Sequence, residues 1–193
     1  MKYFLLPGFI AVALSTPFAA DFSARFVSRN DSGAYEHYAV MAKATPRITA
    51  PELSALLAPN WRGTLTYLDY SSHKSVVLNT SLQALKSGSD RFILRFDYEE
   101  PNHTHVFGTD TLTVASGGTT LRWDGTDFAV KAKQWLPGQT LRMVLEGAGQ
   151  DDNHAVIIRK TLLLNAQQFA VRKQVRLPAD TALVQRNFYQ FAR

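Results

Sequence analysis

The sequence predicts a mainly β protein: an antiparallel meander of about nine or ten strands, closed or nearly closed into a barrel and preceded by two short helices. Three observations carry this. From Trp61 onward, turn-forming clusters recur roughly every ten residues, the spacing of sandwiches and barrels. Between them apolar and polar residues alternate, as in strands dry on one face and wet on the other. The turns are all short, which favours sequential pairing, and a long meander curls and closes to remove its free edges.

The chain opens with Lys2, an apolar run over 3–14, and the small-residue stretch Ser15-Thr16-Pro17-Phe18-Ala19-Ala20. That is the layout of a secretory signal peptide over 1–20. A periplasmic or secreted mature protein follows as an expectation. No later stretch approaches the roughly 18 apolar residues of a membrane-spanning helix. No cysteine follows the apolar run, so a lipoprotein anchor is excluded. Residues 21–193 read as one domain, with 21–60 as its helical preface.

Residues 21–31 look irregular. Tyr35, Tyr38 and Met41 recur every third residue and predict a helix over 32–44 with one apolar side. A second, short helix is predicted over 49–58. Thr49 is its N-cap, Pro51 lies in the first turn, and Glu52 completes a capping box. Pro59 ends it.

The stretch Trp61-Arg62-Gly63-Thr64-Leu65-Thr66-Tyr67-Leu68 predicts the first strand, because its β-branched and aromatic side chains suit a pleated surface. Trp61, Gly63, Leu65 and Tyr67 share one face. Further on, Phe92, Leu94, Phe96 and Tyr98 oppose Arg91, Arg95 and Asp97. Leu121 and Trp123 oppose Arg122, and Phe128, Val130 and Ala132 oppose Lys131 and Lys133. Leu141, Met143 and Leu145 oppose Arg142 and Glu146, and Phe169, Val171 and Val175 oppose Arg172, Gln174 and Arg176. Residues 155–164 are apolar on both faces and predict a strand covered on both sides. Arg159 within it is either a snorkelling residue or a cation aimed into a cavity.

The 193 residues carry 21 basic and 16 acidic side chains, a net charge of +5. The basic residues are spread along the strands, and no helix-turn-helix, finger or stacking platform accompanies them, which argues against nucleic acid. With no cysteine, disulfides, zinc–thiolate sites and thiol catalysis are excluded. An outer-membrane barrel shares the signal peptide and the alternation. The two leading helices, the uniformly short turns and the Phe191-Ala192-Arg193 ending argue against it.

The Trp61-Arg62-Gly63 opening, with Arg186 or Arg193 as a late basic residue to close over the tryptophan, resembles the calycin superfamily of lipocalins and fatty-acid-binding proteins. Residues 61–193 share its architecture. The order Gly-any-Trp is absent here, and Arg186-Asn187-Phe188-Tyr189 approximates the family's Arg-any-Tyr pair. The first-strand wording with this ending also resembles a group of uncharacterised exported bacterial proteins. The resemblance implies a ligand-holding barrel without naming the ligand.

No nucleophile elbow, phosphate loop or dinucleotide fingerprint occurs. His103 and His105 flank Thr104, a spacing that on a strand points both imidazoles to one face, with Asp110 as a third metal ligand in sequence reach. With no third histidine at a matching spacing, a polar turn after Pro101 is the plainer account of them. Ser71-any-any-Lys74 sits in a turn, where it has no catalytic geometry. Asp151-Asp152-Asn153 reads as a turn, not as a calcium loop. Glu99 and Glu100 are adjacent and point apart on a strand. Tyr67, Phe92, Phe96, Tyr98, Trp123 and Phe128 remain; pointing inward they either fill the core or line an apolar pocket, with Arg159 or Arg186 as the partner of a carboxylate.

Three functions follow as expectations. The first is a binding protein for a small apolar or amphipathic ligand, with no catalysis and no cofactor. The second is a solid-core protein contacting an envelope component through its basic surface. The third is a barrel enzyme of cyclase or isomerase type.

Overall fold

The computed structural model describes residues 44–193. The signal peptide expected over 1–20, the segment 21–31 and the helix expected over 32–44 (save Ala44) lie outside the described residues. The second helix forms as a 3₁₀ helix, Ala50–Leu57. One carboxylate fixes it. Glu52 Oε2 accepts the backbone N–H of Thr49 at 2.8 Å and its hydroxyl at 3.0 Å, while Oε1 accepts Lys133 Nζ at 2.7 Å.

Ten strands follow: β1 (Trp61–Leu68), β2 (Ser75–Lys86), β3 (Arg91–Glu99), β4 (His105–Val114), β5 (Thr120–Trp123), β6 (Thr126–Leu136), β7 (Thr140–Asp151), β8 (His154–Leu164), β9 (Gln168–Arg176) and β10 (Val184–Ala192). Each pairs antiparallel with its sequence neighbours, and β1 pairs with β10, so the sheet is a closed barrel. Two bulges reset the alternation. One lies between Val130 and Ala132 in β6 and turns Lys133 inward opposite Met143. The other lies between Gln185 and Asn187 in β10 and turns Asn187, Tyr189 and Phe191 inward.

The inward faces are mostly apolar and the outward ones carry Arg95, Asp97, Arg122, Arg142, Glu146, Arg159 and Arg172. That order is the inverse of a membrane-spanning barrel, whose outer band is apolar.

The two ends differ. At one, the 3₁₀ helix inserts Leu53 and Leu56, both fully buried, beneath Trp61, Leu94, Leu121, Leu141 and Leu162. The Trp61 indole donates to the Leu56 carbonyl at 3.0 Å. Ile48 N–H donates to the Gly118 carbonyl at 2.8 Å, tying the approach to the helix onto the β4–β5 turn. Arg193, rather than Arg186, lies over the Trp61 ring at 5.8 Å. From there an aromatic column climbs the axis. Phe169 meets Trp61 edge-on at 6.4 Å and stacks on Phe191 at 5.9 Å, and Phe191 stacks on Tyr189 at 6.0 Å. The other end is bounded by the turns after β1, β3, β5, β7 and β9, and no helix of the described residues covers it.

Closure depends on one position. A Cβ on Gly63 would lie 1.8 Å from the Gln190 carbonyl oxygen on β10, and backbone cannot swing aside as a flexible side chain can. Gly63→Ala is expected to destabilise the protein by about 1–3 kcal/mol or more, the range for forced overpacking. Urea denaturation measures this. An unchanged midpoint would contradict so close an approach of β1 and β10.

Candidate functional site

The interior is packed most densely on the 3₁₀-helix side. Toward the open end lie two adjoining spaces that share Lys173 and Asn187 in their walls. The inner one, about 340 Å³, is lined by Phe96, Asp110, Trp123, Phe128, Ile158, Lys160, Phe169, Val171 and Tyr189, among others. The outer one, about 590 Å³, has Leu65, Tyr67, Leu68, Tyr70, Leu78, Tyr98 and Arg186 in its wall. The inner space thus combines aromatic walls with charged groups, and the outer one has an apolar side and a polar rim that includes Asp69, Glu100, Lys173 and Arg186.

Lys160 is the central feature. On β8, Val156, Ile158, Leu162 and Leu164 are buried and inward, and Lys160 shares their parity. Its ammonium lies 3.8 Å from the centre of the Trp123 ring and 5.1 Å from that of Phe128. Among the described residues it has no hydrogen-bond or ion-pair partner. The surface it retains faces the inner space, so it is walled by protein yet reachable from the cavity. Burial pushes its pKa down to about 7, against a partial upward pull from Asp110; Lys173 adds to the fall and Asp124 opposes it. A drop from 10.5 corresponds to a penalty on the order of 5 kcal/mol for the charged form. The neutral amine is therefore a substantial species at neutral pH.

The neighbouring polar groups are engaged. Asp110 accepts the Trp123 indole N–H at 2.8 Å, which fixes both side chains. The Tyr98 and Tyr189 hydroxyls pair at 3.0 Å, and burial raises the pKa of each. At the rim the nearly buried Asp151 accepts Lys173 Nζ at 3.0 Å and Arg186 Nε at 2.7 Å. Burial alone would raise the Asp151 carboxyl; the Tyr70 hydroxyl, Lys173 and Arg186 outweigh it, and the net shift is downward. The Arg186 guanidinium also lies 4.7 Å over the Tyr70 ring.

Of the residues singled out from the sequence, Phe96 and Trp123 line the inner space, and Tyr67, Tyr98 and Arg186 line the outer one. Phe92 lies in the packed core, 1% exposed, and reaches neither. Arg159 is corrected: it is on the outer face of β8, where its guanidinium holds Glu146 at 2.8 and 2.5 Å. The cation in the barrel is its neighbour, Lys160. The signal was legible. From Val156 to Leu164 the even positions of β8 are apolar apart from residue 160, whereas the odd face also holds Thr161. Asn187 and Tyr189 are hidden by the β10 bulge, which spacing alone does not show; Lys173 shares the parity of Phe169, Val171 and Val175 on β9 and is open to the same reading as they are.

His103 and His105 do not form the expected pair. His103 sits in the β3–β4 turn with φ of 62°, which breaks the alternation. Each imidazole meets a different carboxylate, His103 with Glu99 at 2.9 Å and His105 with Asp97 at 2.7 Å. Among the described residues no group of three or more His, Cys, Asp or Glu side chains could hold a metal ion. An outer hollow of about 330 Å³ is lined by Asn79, Asp97, Glu99 and His105, among others. Its carboxylates are already engaged by His105, His103 and Asn79. Ser71 Oγ bonds Asp69 at 2.9 Å within the turn after β1, so it is not aimed at Lys74.

No protein-family model matches the chain, and no curated protein is significantly similar to it.

The buried amine makes a prediction about stability. An unfolded lysine binds its proton up to pH near 10.5 and the folded Lys160 only up to about 7. Between these values the unfolded state holds more protons, so stability rises with pH. The full penalty applies below pH 7. Lys160→Met is therefore expected to stabilise the protein by a few kcal/mol, about 2–4, at pH 6, with the advantage shrinking as pH rises toward 10. Denaturation of both proteins across that range checks it. A constant difference, or a destabilised variant at pH 6, would contradict the burial of the charge.

Proposed function

We propose that the protein is an exported, calycin-like binding protein that carries a small amphipathic ligand without transforming it. The observation behind this reading is the half-filled barrel. One end is packed solid and plugged by the 3₁₀ helix; the other holds aromatic and aliphatic walls around a lysine with no partner among the described residues. A core built only for stability would place an apolar side chain at position 160, because a buried unpaired cation costs free energy. The ligand's apolar body lies along Leu65, Tyr67, Leu78 and Tyr98 in the outer space. Its polar end reaches the inner space at Lys160 and Asp110. Arg193 over Trp61 supports the calycin likeness, and the residues at 1–20 support export. A solid-core surface protein accounts for the plugged half alone.

Titration with a neutral naphthylamine fluorophore tests the reading. Its emission is expected to rise on binding with a Kd of about 1 μM or tighter, and decanol is expected to displace it. Tyr67→Arg, which puts a charge into the outer space at a partly exposed position, is expected to weaken binding at least about tenfold while the protein remains folded by circular dichroism. No emission change, or equal binding by the variant, would contradict the chamber as the site.

A further inference from the structure

We infer that Lys160 is a covalent anchor, taking an aldehyde or ketone at the ligand's polar end as an imine on its Nζ. The inference rests on the carrier reading above and names the chemical class of its ligand.

Three geometric facts converge on it. The barrel turns three lysines inward, and two are paired: Lys133 with Glu52 at 2.7 Å and Lys173 with Asp151 at 3.0 Å. Lys160 alone of these has no partner among the described residues, and it alone projects over aromatic faces, 3.8 Å from the Trp123 ring centre. It also lines a space large enough for a reacting group. A simple counter-ion for a carboxylate would gain from being charged, whereas burial favours the neutral amine, which is the nucleophilic form.

The reaction balances without an outside oxidant or reductant. The Nζ lone pair attacks the carbonyl carbon, a C–N bond forms, and one proton moves from nitrogen to oxygen to give a carbinolamine. The C–O bond then breaks as the oxygen takes the second Nζ proton and leaves as water, and the nitrogen lone pair completes the C=N bond. The sum is aldehyde plus amine giving imine plus water. Once protonated, the imine carries a delocalised cation. The faces of Trp123 and Phe128 and the nearby Asp110 carboxylate stabilise such a charge. The Trp123 N–H to Asp110 bond holds that pair in place. The apolar walls limit the water that would hydrolyse the product.

The test incubates the full chain with decanal near pH 7.5, reduces with cyanoborohydride, and maps the adduct by peptide mass spectrometry. Displacement of the naphthylamine fluorophore by decanal and by decanol is measured in parallel. At that pH an amine with a pKa of about 7 is mostly neutral, while an ordinary lysine is roughly a thousandfold less so. Labelling of Lys160 is expected to exceed that of each surface lysine by about 100-fold, after allowing for the weaker nucleophilicity of a less basic amine. Decanol is expected to suppress it. If both compounds displace the fluorophore but the label is scattered over surface lysines or absent from Lys160, the covalent anchor is overturned and the carrier reading stands. If neither displaces it, the carrier reading fails and the anchor with it. The mapping uses the native chain, so it does not depend on how a Lys160 variant folds.

Discussion

A barrel of ten strands encloses more space than its inward side chains can fill. Eight strands already leave an interior that is either just packed or just wide enough for one small ligand. The extra circumference has to be occupied, and this chain does so unevenly. Toward the N-terminal side a 3₁₀ helix inserts Leu53 and Leu56 under Trp61, and leucines from most strands complete the layer. Toward the other end the side chains lining the interior include Asp110, Lys160, Lys173 and Asn187, and the aromatic column of Trp61, Phe169, Phe191 and Tyr189 ends at the Tyr98–Tyr189 hydroxyl pair. The dry half carries the stability that lets the other half remain hollow. Closure at Gly63, the Glu52 tether and the bulge at residue 131 all serve that division.

Charge inside the barrel follows the same division. Lys133 is neutralised by Glu52 where the plug meets β6. Lys173 and Arg186 converge on Asp151 at the rim, leaving one net positive charge in a group that is mostly withdrawn from solvent. Lys160 lies between the dry core and the rim group with its ammonium over the Trp123 and Phe128 ring faces. In folding terms it is a cost, since an apolar residue of similar length would pack there without desolvating a charge. Strain or uncompensated charge of this kind concentrates where a protein binds or reacts, and it is this cost that ties the chamber to a ligand.

The alternation in β3, β5, β7 and β9 was legible because each strand has one dry and one wet face, and the short turns between them left sequential pairing as the simple solution. The capping box at Thr49 and Glu52 placed the plug helix, though its 3₁₀ winding was not visible in the residues. Legibility failed where the period of two fails. The bulges in β6 and β10 shift parity by one, which hid Lys133 and Tyr189. On β8 both faces hold aliphatic residues, so the more conspicuous cation, Arg159, was favoured over Lys160; its partner Glu146 lies thirteen residues away on β7, a register that only pairing reveals. His103 escaped the strand pattern through a left-handed backbone conformation in the β3–β4 turn.

The central claim is that a lysine stands unpaired inside a hollow half-barrel, and its titration tests that claim most directly. Lysine labelled with ¹³C at Cε and ¹⁵N at Nζ, followed by NMR from pH 5 to about 11, resolves each amine, and Lys160→Met assigns the one of interest. The account predicts that the Lys160 resonance titrates near pH 7. A Lys160 resonance that titrates near the 10.5 of a free lysine would mean that the amine is solvated or paired, and the chamber would lose the chemical feature on which its function has been argued.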